Sequence, residues 1–409
     1  MNRMVRVSAG ALLAVGLLGV AACGGASGQP GSGPIKVVSI NDATGALNAY
    51  GLPMGAAARL AIDDINKHGG LLGRQVELNE LDGQSDVARY TVLARQTAQD
   101  PDVAMVQGAI SSAAREAIRP VFDNAEKLYF YPTFYEGGVC DRNTFMTGQT
   151  PSQTVAPLLK WAADTGKKKW YVLAADYNYG QISAGWVKRL ADEYGATIVG
   201  GPTFFDLSNS DFTSQIPKIQ ASGADTVVSL LVGPAHLNFY KQWAASGLNA
   251  TTTVVGAGFG LGADQVALGP DANGIVTAFP YFPSLDTPDS RDLRKLWVDS
   301  GRTDPLTPGA IDGWNAWQIW AAAVRKAGTT DRDKVIAALE SGLSFDGPSG
   351  KVEMDPRTHH LIVPMRLWEA DGQGGFTMLK ELTAAAAPTF EQSTCDLTKD
   401  PNTNQQFTP

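Results

Sequence analysis

The chain of 409 residues has only three cysteines and four histidines, and no CxxC pair or His/Cys cluster with the spacing of a zinc site. It has no basic excess either. Its 41 acidic residues outweigh 33 Lys and Arg, for a net charge of -8, so the basic face that nucleic acid requires is missing. No GxxxxGK[ST] occurs, which excludes a P-loop, and no GxSxG, which excludes a nucleophile elbow. GAGFG (256–260) lacks the spacing of a dinucleotide fingerprint, and no acidic residue closes a following strand. A Ser-His-Asp triad would have to draw on His68, His236, His359 or His360, and none flanks a nucleophile-like turn. His236 reads as a helix-capping residue, and His359-His360 falls in a polar turn and is expected at the surface. Neither enzymatic activity nor a cofactor is expected. The longest apolar run near the start, Ala11 to Val20, is too short for a stable membrane span.

What the chain does have begins with a targeting pattern. Arg3 and Arg6 precede that apolar run, so residues 1–22 read as a signal peptide. Val20-Ala21-Ala22-Cys23 resembles the bacterial lipobox, which implies cleavage before Cys23 and a diacylglycerol on its thiol. Residues 24–34, GGASGQPGSGP, have the composition of a flexible tether, so 23–34 is taken as lipidated cysteine plus tether. An extracytoplasmic protein anchored to the cell membrane is expected. In that oxidising setting the two remaining cysteines, Cys140 and Cys395, are free to pair as a disulfide.

From Ile35 onward strand and helix patterns alternate: IKVVSI, Met54 to Lys67, QVELNELD, Val87 to Gln99. A second alternating run starts near Pro151, with helices expected over Thr154 to Thr165 and Ala184 to Tyr194. Such alternation predicts an α/β fold with parallel sheets. The tail from Ala385 to Pro409 is polar with weak periodicity. The chain is organised around VAMVQGAISSAAREAIRPVFDNAEKLYFYPTFYEG (103–137), where two buried strands deliver a helix start and a loop to one sheet edge. Ser111 and Ser112 stand at the helix start, one free to cap it and the other free for a ligand; Tyr131 and Thr133 stand on the loop. In open α/β sheets ligands bind beyond the carboxyl ends of the strands. In the second run the corresponding loops carry Tyr177, Gly233 and Phe259.

Four stretches in order, SSAAREAIRPVFD…LYFYPTFYEG, ADYNYG, PYFPSLDTPDSRDL and DGPSGKVEMDPRTHHL, carry a closer resemblance. With GLPMGAAARLAIDDINKHGGLLGRQVEL they make the chain from Ile35 to about Leu382 resemble the type I periplasmic binding proteins of ABC importers. Within these it is similar to the branched-chain amino acid class and its urea and short-chain amide branch. The resemblance implies two Rossmann-like lobes joined by a three-crossover hinge that closes on a ligand, and docking of the closed form on ABC permease subunits. Residues 35–150 and 278–345 are expected in lobe 1, 151–277 and 346–384 in lobe 2, and 385–409 as a tail; a monomer is expected. The family's binding positions fall on Ser112, Tyr131, Thr133 and Tyr177, with Ser111, Gly233 and Phe259 as neighbouring candidates. The implied ligand is urea or a short neutral amide, with a branched-chain or other amino acid, or another small polar nutrient, as the alternative. Amino-acid-binding relatives hold the ligand ammonium with acidic residues, whereas Pro151 stands at the comparable place here and GAGFG has no acid. A buried ammonium without a counter-charge is costly. Pro234, Ala235 and His236 after Gly233, together with the GAGFG loop, depart from the branch and admit a larger amide.

Overall fold

The computed structural model describes residues 33–409; the expected signal peptide and Cys23 lie outside the described residues. The first half-chain runs β1 (Ile35–Asn41), α1 (Asn48–Lys67), β2 (Val76–Asp82), α2 (Val87–Ala98), β3 (Val103–Gly108), α3 (Ser112–Asn124), β4 (Tyr129–Tyr131), β5 (Val139–Asp141) and β6 (Thr144–Met146). Its sheet has the order β2-β1-β3-β4-β6, every pair parallel. β3 and β4 are almost wholly buried, as strands covered on both faces must be.

The chain then crosses to a second sheet through α4 (Val155–Asp164), β7 (Lys169–Ala175), α5 (Asn178–Tyr194), β8 (Thr197–Phe205), α6 (Ile216–Ser222), β9 (Thr226–Leu230), α7 (Gly233–Ser246), β10 (Thr253–Gly256), α8 (Asp264–Leu268) and β11 (Val276–Phe279). Here the parallel order is β8-β7-β9-β10-β11. Both sheets reverse direction after their first strand, so each has a switch point, β1/β3 in one and β7/β9 in the other.

A second crossing returns the chain through α9 (Pro288–Asp299), α10 (Pro308–Ala327) and α11 (Arg332–Leu339) to the first lobe. α10 is held there by Gln107 Nε2 donating to Gly313 O at 2.8 Å and Gln149 Nε2 to Asp312 Oδ1 at 2.7 Å. Its Trp317 and Trp320 are fully buried. The third crossing leads to β12 (Ser344–Gly347), β13 (Gly350–Met354), β14 (Leu361–Ala370) and β15 (Phe376–Ala386), an antiparallel extension joined through β14 to β11. The tail is ordered, not featureless. It forms α12 (Thr389–Thr394) and β16 (Asn404–Gln406), which pairs antiparallel with β5, and a disulfide joins Cys140 to Cys395 with 5.7 Å between their Cα atoms.

Two helices start earlier than their patterns predict, α1 at Asn48 instead of Met54 and α5 at Asn178 instead of Ala184. Pro53 suggests a helix start but stands inside α1, where it can donate no backbone hydrogen bond. The expectation of a surface position for His359-His360 is wrong: both are buried. His359 stacks on Phe145 at 4.3 Å between ring centroids, and His360 sits between Thr358 O (2.7 Å from Nδ1) and Tyr135 Oη (2.6 Å from Nε2).

That burial has a measurable consequence. Desolvation lowers the His360 pKa from 6.5 to about 4, and burial likewise lowers that of His236. A depressed folded-state value means that the unfolded chain binds the proton first. Stability is therefore full above about pH 6.5 and falls toward pH 4, by up to about 3 kcal/mol for His360. Guanidinium unfolding at pH 7 and pH 5 is expected to show the loss, and His360→Gln to reduce it; an equal loss in that variant would remove His360 as its source.

Candidate binding cleft

Each lobe sends loops from the carboxyl ends of its strands into one small cavity. From the first lobe come Leu47 and Tyr50 after β1, Ile110 and Ser112 after β3, and Thr133 and Phe134 after β4. From the second come Tyr177 and Tyr179 after β7, Val232 after β9 and Leu261 after β10. The lobes leave a closed space with room for little more than one water molecule. The lining has no charged residue.

Four helices begin at this cavity. Leu47 precedes α1, Ser112 opens α3, Tyr177 precedes α5 and Val232 precedes α7. The first N–H groups of a helix have no partner inside it, and the helix dipole is positive there. Ser111 takes up one such group by accepting from Ala114 N at 3.1 Å, and Tyr50 Oη accepts another from Gly233 N at 3.1 Å. What remains favours an electron-rich oxygen. The turn that places Tyr177 and Tyr179 needs Gly180, because a Cβ there would lie 2.0 Å from Ala175 O.

The hydroxyls are polarised by their protein partners. Thr133 Oγ1 donates to Ala109 O at 3.2 Å, which leaves it lone pairs for a ligand. Ser112 Oγ is hydrogen-bonded to Glu136 Oε2 and receives Arg115 Nη1 at 3.3 Å. Glu136 and Arg115 are themselves fully buried and paired, Nη2 to Oε1 at 2.6 Å. Glu116 flanks the guanidinium at 2.9 Å from Nε. Burial by itself would raise the Glu116 carboxyl, but Arg115 and Arg119 bring it down to about 2. In the second lobe Tyr179 Oη has no protein partner. Burial pushes the Tyr50, Tyr177 and Tyr179 phenols well above their ordinary value, so they stay protonated and able to donate.

Of the residues singled out from sequence, Ser112, Thr133 and Tyr177 line the cavity. Ser111 caps α3 beside it, and Gly233 stands one residue beyond the lining Val232. Two candidates are absent from the lining. Tyr131 stands beside the cavity, its hydroxyl donating to Ile110 O at 2.7 Å and its ring 5.1 Å from the Arg115 guanidinium. Phe259 is packed in the core against Tyr240, at 5.0 Å between ring centroids. His236 is fully buried with Nδ1 2.8 Å from Leu231 O, also outside the lining. Sequence reading missed Tyr50, Phe134 and Tyr179 in the lining and the Arg115–Glu136 pair behind it. Among the described residues no group of three or more His, Cys, Asp or Glu is arranged to hold a metal ion.

The family described as periplasmic binding protein matches residues 34–375. Leu/Ile/Val-binding protein homolog 6 of Brucella melitensis is 26% identical over 295 residues, 70% of this chain and 75% of that protein. The leucine-, isoleucine-, valine-, threonine-, and alanine-binding protein of Pseudomonas aeruginosa is 25% identical over 346 residues, 83% of this chain and 90% of its own length. Among solved structures, the solute-binding protein of an ABC transporter from R. palustris in complex with benzoate is similar with a TM-score of 0.78. It has 23% identity and covers 87% of this chain and 98% of that one. The corresponding leucine-, isoleucine-, valine-, threonine-, and alanine-binding protein from Brucella ovis, in its closed conformation, gives 0.75 at 21% identity, with 86% and 95% covered. The chain belongs to the periplasmic binding protein family, and its fold is that of the solved solute-binding proteins.

Proposed function

We propose that this receptor captures urea or a short-chain amide and, anchored by lipid at Cys23, delivers it to its permease. The observation that carries the reading is the polarity of the small cavity. Ser112 and Thr133 have committed their protons to protein acceptors and offer lone pairs, while the Tyr177 and Tyr179 phenols and the helix N–H groups offer donors. A neutral amide needs both, one side for its NH₂ and the other for its carbonyl oxygen. The uncharged lining gives neither a carboxylate for an ammonium nor a cation for a carboxylate.

A second reading is an aliphatic amino acid, favoured by Leu47, Ile110, Val232 and Leu261 in the lining and by the ligands in the names of the relatives. A thermal-shift screen with urea, acetamide, formamide and leucine at millimolar concentration separates the two. Binding to the folded form alone raises the melting temperature, by an amount equivalent to about 2.7 kcal/mol at a hundredfold excess over Kd. A rise with the amides and none with leucine is expected; the reverse pattern establishes the amino acid. For the anchor, the intact mass of the native product is expected to show a diacylated Cys23, and Cys23→Ala to abolish it. An unmodified mature cysteine would sink the anchor.

A further inference from the structure

We infer that Glu136 is a specificity-determining residue of the cleft, fixing Ser112 as a hydrogen-bond acceptor toward the ligand, and that Gln406 of the C-terminal tail holds it in place. The inference rests on the amide reading and deepens it. A hydroxyl has one proton and two lone pairs. A carboxylate only accepts, so the proton of Ser112 goes to Glu136, and Arg115 Nη1 at 3.3 Å takes one lone pair. One lone pair is left to face the cavity. Glu136 is fully buried and is gripped from behind by Arg115 Nη2 at 2.6 Å and Gln406 Nε2 at 2.7 Å. Gln406 Nε2 also donates to Gly137 O at 2.9 Å.

Gln406 closes β16, which pairs with β5 just after this segment, and the Cys140–Cys395 disulfide fastens the tail to the same strand. The tail therefore completes the support of Glu136, which stands behind the cavity-lining Ser112. The start of α3 attracts an anion, and the protein supplies one itself as Glu136. The NH₂ of an amide meets the free lone pair of Ser112 as a donor, whereas a carboxylate meets it as a second acceptor. Acetamide and acetate, nearly equal in size and shape, differ in this one group.

Calorimetric titration of the full chain, wild type, Glu136→Gln and Gln406→Ala, with acetamide and with acetate tests this, with thermal unfolding recorded alongside. The wild type is expected to prefer acetamide. Glu136→Gln can donate to Ser112 and release its proton for the ligand, so the preference is expected to narrow about tenfold, the value of one hydrogen bond to a charged group. Gln406→Ala is expected to narrow it in the same direction by a smaller factor. A merely structural Glu136 would lower the melting temperature and weaken both ligands alike, and an unchanged ratio overturns the proposal. Glu136→Gln leaves Arg115 paired with Glu116; should it nevertheless fail to fold, Gln406→Ala decides, because it leaves the buried pair intact, and an unchanged ratio there overturns the proposal equally. A wild type that binds neither acetamide nor urea overturns the amide reading and this inference together. Amide binding with an unchanged ratio in the variants overturns this inference alone.

Discussion

Arg115→Met is expected to destabilise the protein by about 3–5 kcal/mol, the loss that follows when one partner of a buried ion pair is removed. The guanidinium is fully buried, 5.1 and 4.6 Å from the ring centroids of Tyr131 and Tyr135, and it is the only cation bonded to Glu136 among the described contacts. Without it Glu136 retains only the neutral donors Ser112 and Gln406. Guanidinium unfolding near pH 7 measures the loss. The double variant Arg115→Met, Glu136→Gln is expected to recover much of it, since no buried charge is then left alone. A loss below about 1 kcal/mol in the single variant would mean that the pair contributes no more than a surface one.

Gly180→Ala is expected to weaken ligand binding by roughly a hundredfold, because it removes two phenol hydrogen bonds worth about 1.4 kcal/mol each. The new Cβ would lie 2.0 Å from Ala175 O, and a backbone atom cannot swing aside as a side chain can. The first turn of α5 must therefore lift off β7, carrying Tyr177 and Tyr179 away from the cavity. Gly185→Ala on the same helix is the control. Its Cβ meets only Pro409 Cγ, at 3.7 Å, and affinity is expected to be unchanged. Wild-type affinity in Gly180→Ala would show that these tyrosines do not hold the ligand.

The strand–helix alternation and the Ser-Ser helix start were legible because both are local. Apolar runs and a capping hydroxyl announce themselves within a few residues, and Ser111 does cap α3 while Ser112 reaches the cavity. Tyr131 stands beside the cavity, bonded to Ile110 in its lining, and does not itself line it. Side chains alternate across a strand, so Tyr129 and Tyr131 share the face opposite Phe130. Leu47 and Tyr50 were missed because the helical pattern was read only from Met54, whereas α1 starts at Asn48. Arg115 and Glu136 carry no local signal at all. Each is an ordinary charged residue in sequence, and only the packing of α3 against the loop after β4 brings them together. The same holds for His359 and His360, whose polar turn is covered by Phe145 and Tyr135 from the other lobe.

Calorimetric titration of the purified, ligand-free receptor with acetamide, urea and leucine reads the cleft directly. A small neutral amide is expected to saturate one site per chain, and leucine at the same concentrations to give no binding heat. Saturation by leucine, with no heat from either amide, would contradict a cleft shaped and polarised for a neutral amide.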